Sequence, residues 1–143
     1  MTLLTRKPII VPWDFSDMSK KALETAAELA ADNGQIHVLH VIPYPPSMEP
    51  GVIWGVVDEE SLTEKATESF KKDVPDGKYP GVTFKVMFGD PGSQVAKLAK
   101  DIDAGLVVIS SHGRTGLAHF FLGSVAERVT RLSPCPVLVL RGH

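Results

Sequence analysis

The stretch IIVPWDFSDMSKKALETAAELAADNGQIHVLHVI, residues 9–42, decides the fold class. It opens on a short apolar run, Ile9–Val11, and closes on a second one, Ile36–Ile42, both of strand length. Between them Ser16 is an N-cap residue type, and Ala22, Leu23, Ala26, Ala27 and Ala30 recur at the spacing that lines one face of a helix. Asn33-Gly34 reads as the helix stop. Strand, helix and strand in this order form a parallel unit, because parallel strands need a crossover and a helix supplies one.

The same alternation continues outward. Val82–Phe88, Leu106–Ser110 and Val137–Leu140 are further apolar runs of strand length. A helix is predicted from about Asp58 to Asp73 on the stripe Leu62, Ala66 and Phe70. Another opens at Asp90-Pro91 or Ser93 and shows Val95, Ala99 and Ile102; a last one starts at Ser124, shows Val125, Val129 and Leu132, and is ended by Ser133-Pro134. The expected fold is therefore α/β: one doubly wound, five-stranded parallel sheet with helices on both faces, in one domain over residues 1–143. The segment 43–57, PYPPSMEPGVIWGVV, is too rich in Pro and Gly for either element and reads as a long loop.

Strand chemistry orders the sheet. The first and fourth runs are apolar at every position and read as central strands. The third alternates Val82, Phe84, Val86 and Phe88 with Thr83, Lys85 and Met87, and a lysine on a strand guards an edge. The order 3-2-1-4-5 satisfies both, and it reverses direction between strands 1 and 4. Ligands of such sheets bind outside the carboxyl ends of the strands at the reversal. In that order the fifth strand, Val137, Leu138, Val139 and Leu140, lies at the far edge with no guard before Arg141. An unguarded apolar edge needs a cover, and a second copy of the same strand is the simplest, so a homodimer is expected.

Composition bounds the partners. A chain of 143 residues buries roughly 70% of the surface it exposes when unfolded, enough to need no disulfide or metal. Hydrophobic residues at 43% and charged ones at 22% are ordinary for a globular protein. A net charge of −2 gives no reason to expect nucleic acid or an anionic membrane as partner. The lone Cys135 permits no internal disulfide, no signal-peptide pattern opens the chain and no run is long enough for a membrane span, so the cytoplasm is the expected compartment.

Two loops meet the reversal. One is Pro12-Trp13-Asp14-Phe15-Ser16, which puts a carboxylate just past the first strand. The other is Ser110-Ser111-His112-Gly113-Arg114-Thr115-Gly116, followed by Gly123-Ser124 at a helix start. Glycines let backbone N–H groups approach an anion closely, and a helix start adds free N–H donors and the positive end of its dipole. The residues alone leave alternatives open. Ser124 with Glu127 spells a capping box, Gly113 and Gly116 also suit ordinary turns, and Asp14 also suits a cap on the first helix.

The segment Ser110–Leu140, SSHGRTGLAHFFLGSVAERVTRLSPCPVLVL, resembles the C-terminal signature of the universal stress protein family. The opening IIVPWDFSDMSKKAL and Leu39–Ile42 resemble that family's first two strands. In ATP-binding members the signature is Gly, two residues, Gly, nine residues, then Gly followed by Ser or Thr. Gly113, Gly123 and Ser124 fit it; Ser110 stands where the first glycine would be, and its Cβ leaves less room for a ligand. The resemblance implies an ATP-binding homodimer. By it, Asp14 contacts the ribose or base, Pro12 shapes its loop and the backbone of Val41 meets the adenine. Ser110, Ser111, Gly113, Gly123, Ser124 and Val125 line the phosphates. Trp13 either packs in the core or flanks the base, and Arg114 either reaches a phosphate or stays solvated. A divalent cation such as Mg2+ or Mn2+ bridging the phosphates is also implied, although no carboxylate pair marks a metal site.

Fast chemistry is not visible. The sequence contains no GxxxxGK[ST], GxGxxG or GxSxG pattern. Ser111 and His112 are adjacent, a poor arrangement for nucleophile and base. His37 and His40 are three apart on a strand and face opposite ways. Cys135 between two prolines reads as a packing residue. No catalytic residue is assigned, and the expectation is a binding and regulatory module with at most slow ATP hydrolysis. Two rivals stand beside it: a stress protein dimer that acts through protein contacts without nucleotide, and an enzyme of the adenine nucleotide α-hydrolase architecture, whose SGGxDS-like loop Pro12–Ser16 does not match.

Overall fold

The computed structural model describes residues 7–44, 59–111 and 122–141. The strands are β1 (Ile9–Pro12), β2 (Ile36–Ile42), β3 (Thr83–Phe88), β4 (Leu106–Ser110) and β5 (Val137–Leu140). The helices are α1 (Asp17–Leu29), α2 (Glu59–Asp73), α3 (Pro91–Asp101) and α4 (Ser124–Leu132). All four strand pairings are parallel, and the order is β3-β2-β1-β4-β5. The expected order and fold class are thus observed. Residues 45–57 of the expected long loop lie outside the described residues.

Strand alternation divides the core into two layers. On one face Ile9, Val11, Val38, Leu106 and Val108 pack with Ala22, Leu23 and Ala26 of α1 and Phe70 of α2. On the other Ile10, Leu39, Val107 and Ile109 pack with Val95, Leu98 and Ala99 of α3 and Ala126 and Val129 of α4. β4 is buried at all five positions, as a strand covered on both faces must be. On β3 Thr83 and Lys85 are exposed, in keeping with an edge. On β5 Leu138 is 37% exposed although its neighbours are half-buried.

Helix boundaries follow local hydrogen bonding. Ser16 caps α1, its Oγ accepting the Ser19 N–H at 3.1 Å. The expected stop at Asn33-Gly34 is corrected. α1 ends at Leu29, and Asn33–Gln35 form a separate 3-10 turn. Asp32 causes the break, because its Oδ1 accepts the Gly34 N–H at 2.9 Å and offers the backbone a partner outside the helix ladder. α3 begins at Pro91 with Asp90 as N-cap, its Oδ2 accepting the Ser93 N–H at 2.9 Å. Gly92 lets α3 meet α4 closely: a Cβ there would stand 2.6 Å from Arg128 Cβ.

Candidate functional site at the sheet reversal

The β1 and β4 strands diverge at their carboxyl ends, and the chain there is tightly specified. The Trp13 N–H donates to the Leu39 carbonyl at 2.8 Å, the last rung between β1 and β2. On the opposite edge of β2 the Ile42 carbonyl accepts from Gly89 N at 3.0 Å. Peptide groups alternate sides along a strand, so those of Val41 face the same way as Leu39, past the end of β1. The Val41 side chain packs into the α3–α4 layer. Its backbone therefore borders the crevice. The registers Pro12↔Leu39 and Ile10↔Val107, carried to the strand ends, bring Asp14, Val41 and Ser111 to one level.

The loop after β1 is held from several sides. Trp13 is 3% exposed and its ring meets Phe70 edge-on at 5.1 Å, so it packs in the core. Its Nε1–H is buried and finds no partner among the described residues. The Trp13 carbonyl lies 2.7 Å from His40 Nδ1; a carbonyl only accepts, so Nδ1 carries the hydrogen. Phe15 adopts φ 65°, a left-handed conformation that a bulky side chain resists, and packs edge-on against His40 at 4.8 Å. Such a conformation persists only where the surroundings over-determine it. The surroundings here include Asp14, whose Oδ1 accepts from Ser16 N at 3.0 Å and from Ser19 Oγ at 2.6 Å. Pro12, at the end of β1, is half-buried.

Across the crevice Ser111 joins three elements. Its N–H donates to the Leu140 carbonyl of β5 at 2.7 Å, and its carbonyl accepts the Gly123 N–H at 2.5 Å. Gly123, rather than Ser124, is the N-cap of α4, and no side chain caps that helix. The alternative of a capping box from Ser124 and Glu127 is overturned: the Glu127 carboxylate turns to Arg131 at 2.9 Å, a pairing that holds it below the usual carboxylate range. The physical reason is that Ser111, brought alongside by the sheet, already holds the chain at Gly123. Ser124 and Val125 are exposed at the first turn of α4. The first-turn N–H groups, with the positive end of the helix dipole, suit an anion.

Burial supports the same reading of this corner. Ser110 and Ser111 are 8% and 6% exposed, and the Ser111 hydroxyl finds no hydrogen-bond partner among the described residues. A buried hydroxyl without a partner is costly, and a ligand oxygen nearby would satisfy it. The residue types present therefore fit a phosphate-bearing group. His112, Gly113 and Arg114 lie outside the described residues. Among the described residues no group of three or more His, Cys, Asp or Glu stands ready to hold a metal. Burial lowers the pKa of His37, with Lys85 adding to the effect.

Sequence reasoning missed Ser19. It is 3% exposed, and its hydroxyl touches Asp14 and Ser16 from the first turn of α1. The available signal was a serine three residues past the cap, on the helix face that carries Ala22, Leu23 and Ala26 into the core.

Fold and site together define a nucleotide-class α/β module, and comparison with known proteins makes this specific. The universal stress protein family matches residues 5–141. The chain belongs to the universal stress protein family. It is similar to universal stress protein MJ0531 of Methanocaldococcus jannaschii, with 35% identity over 141 residues that cover 94% of this chain and 82% of that one. The solved structure of MJ0577 from the same organism is 29% identical, covers 97% of this chain and 98% of its own, and superposes with a TM-score of 0.71. Two further universal stress proteins share the fold. One, in complex with cAMP, has a TM-score of 0.62 and 19% identity, covering 97% of this chain and 99% of its own. The other, from Archaeoglobus fulgidus in complex with dAMP, has 0.55 and 21%, covering 96% and 99%. Among the described residues no helix is long and apolar enough to cross a membrane.

Proposed function

We propose that this chain is an ATP-binding, homodimeric regulatory module with at most slow ATP hydrolysis, built as one universal stress domain over residues 1–143 and working in the cytoplasm. The observation that carries the reading is the corner where Ser111 joins β4, β5 and the start of α4: a buried hydroxyl with no partner beside a helix start that no side chain caps. Structural neighbours in complex with cAMP and dAMP support an adenine nucleotide as the ligand class. In this reading the adenine lies against the Val41 backbone and Asp14 takes a donor of the nucleoside, with Pro12 and Trp13 beneath its loop. Ser110, Ser111, Gly113, Arg114, Gly123, Ser124 and Val125 surround the phosphates. ATP supplies a polyphosphate chain whose charge a divalent cation, Mg2+ or Mn2+, would share with α4. The single cysteine, Cys135, is consistent with a reducing compartment.

The dimer rests on β5. Val137, Leu138, Val139 and Leu140 form the sheet's last strand, and the exposed Leu138 has no charged guard beside it. A second copy paired antiparallel about a two-fold axis closes that edge. Ser110 favours the rival of a dimer that acts without nucleotide, since its side chain narrows the place of the first signature glycine.

Titration calorimetry with ATP and Mg2+ tests the reading. Saturable heat is expected, and Gly123→Val is expected to weaken it at least tenfold by keeping the phosphates from the backbone. No heat and no thermal shift at millimolar ATP would refute the nucleotide reading in favour of the protein-contact dimer. Wild-type affinity in Gly123→Val would refute the phosphate assignment.

A further inference from the structure

We infer that Ser19 is a positioning residue that sets which oxygen of Asp14 reads the ligand; the inference rests on the nucleotide reading above. Ser19 lies in the first turn of α1, is 3% exposed, and directs its hydroxyl at the Asp14 loop. The hydroxyl donates to Asp14 Oδ1 at 2.6 Å, a length typical of a charge-assisted bond. The same Oγ accepts the Asp14 N–H at 3.1 Å and lies 3.3 Å from Ser16 Oγ. One buried hydroxyl thus grips both ends of the aspartate.

Counting lone pairs gives the consequence. A carboxylate oxygen accepts about two hydrogen bonds in its plane, and Oδ1 already takes those of Ser16 N and Ser19 Oγ. Any ligand donor must therefore go to Oδ2. With Oδ1 anchored at two points the carboxylate cannot spin about its Cβ–Cγ bond, so Oδ2 is held in one direction. An ionised carboxylate only accepts. It therefore selects a ligand group that donates, and an adenine nucleotide offers two: a ribose hydroxyl and the adenine amino group. The N-cap bond from Ser19 N to Ser16 Oγ does not use the Ser19 side chain, so α1 keeps its cap when the hydroxyl is removed.

The test measures dissociation constants by calorimetry for ATP, 2′-deoxyATP and inosine triphosphate, each with Mg2+. It uses the wild type, Ser19→Ala, Asp14→Asn and Asp14→Ala/Ser19→Ala, with thermal melts as the check on folding. Ser19→Ala is expected to lose about tenfold in ATP affinity, the scale of one hydrogen bond to a charged group. It should lose less for the analogue that lacks the donor: 2′-deoxyATP if the hydroxyl is read, inosine triphosphate if the amino group is. Asp14→Asn keeps an Oδ1 for Ser16 and Ser19 but puts a donor where Oδ2 was, so it should keep its melting temperature and lose ATP affinity by more than tenfold. That variant carries the test if Ser19→Ala does not fold. In the Asp14→Ala background, Ser19→Ala should cost nothing further. Ser19→Ala or Asp14→Asn with wild-type affinity would overturn the inference while leaving ATP binding intact, as would an equal loss for all three nucleotides. A wild type that binds none of them would overturn both it and the reading it rests on.

Discussion

Gly92→Ala introduces one methyl group where α3 and α4 touch. Its carbon would stand 2.6 Å from Arg128 Cβ, 3.3 Å from Arg128 Nε and 3.5 Å from the Arg128 carbonyl carbon. Carbon atoms pack at about 3.5–4.0 Å, so the helices must part by roughly 1 Å. Moving the Arg128 side chain does not relieve the contact, since Cβ belongs to the helix framework. Parting the helices also strains the Arg128–Asp90 ion pair, 3.0 Å long, and the contacts of Val129 and Ala126 with Val95 and Ala99. Overpacking of this kind costs about 1–3 kcal/mol. Replacing glycine by alanine in a helix returns up to about 1 kcal/mol, less in the first turn. The net expectation is a loss of about 1–2 kcal/mol, or roughly 4–8 °C in melting temperature for a chain of this length. Urea denaturation and calorimetric melts measure it. Arg128→Ala should not rescue the variant, because alanine keeps the offending Cβ, whereas Arg128→Gly should restore part of the loss. A Gly92→Ala protein as stable as the wild type would refute the close-approach argument.

Three further outcomes are expected. Leu138→Lys puts a charge on the exposed position of β5, and sedimentation velocity should show the wild-type dimer shifted towards monomer or precipitate; a wild type that is monomeric at micromolar concentration counts against the interface. Steady-state assays should find ATP turnover below about 1 s⁻¹, the bottom of the usual enzyme range, and faster turnover lost in His112→Ala or Asp14→Ala would reveal a catalytic group. Hydrogen bonds from Ser93 N and Oγ, with help from Arg128, hold the Asp90 carboxyl below the usual carboxylate range. A depressed folded-state pKa contributes stability that is full above the unfolded value and is lost as pH falls through the folded one. Wild type and Asp90→Ala melts should therefore converge below about pH 4 and separate above it; a gap independent of pH would show that the charge plays no part.

The architecture was legible because it rests on periodicity. Apolar residues on both faces marked Ile9–Val11 and Leu106–Ser110 as central strands, and Lys85 marked β3 as an edge. These signals reach only a few residues along the chain, which is the range over which strand alternation and helix turns repeat. The family signature in Ser110–Leu140 likewise pointed to one end of the sheet. Several features were not legible because they depend on groups far apart in sequence or on competition between neighbouring groups. Ser124 with Glu127 spells a cap, yet α4 starts at Gly123 because the sheet carries Ser111 beside it. Asn33-Gly34 spells a stop, yet Asp32 captures the backbone first. Whether Trp13 entered the core or the crevice depended on Phe70, fifty-seven positions on, reaching its ring. Ser19 spells a helix residue and becomes the anchor of Asp14 only once α1 is seated on β1. The sequence by itself determined the strands, their order and the end of the sheet at which ligands meet it, since local patterning is enough to say which surfaces must be buried. Only the tertiary structure decided which backbone and side-chain groups at that end are already paired and which are left to a ligand, because hydrogen bonds are formed by proximity in space, which the fold alone creates.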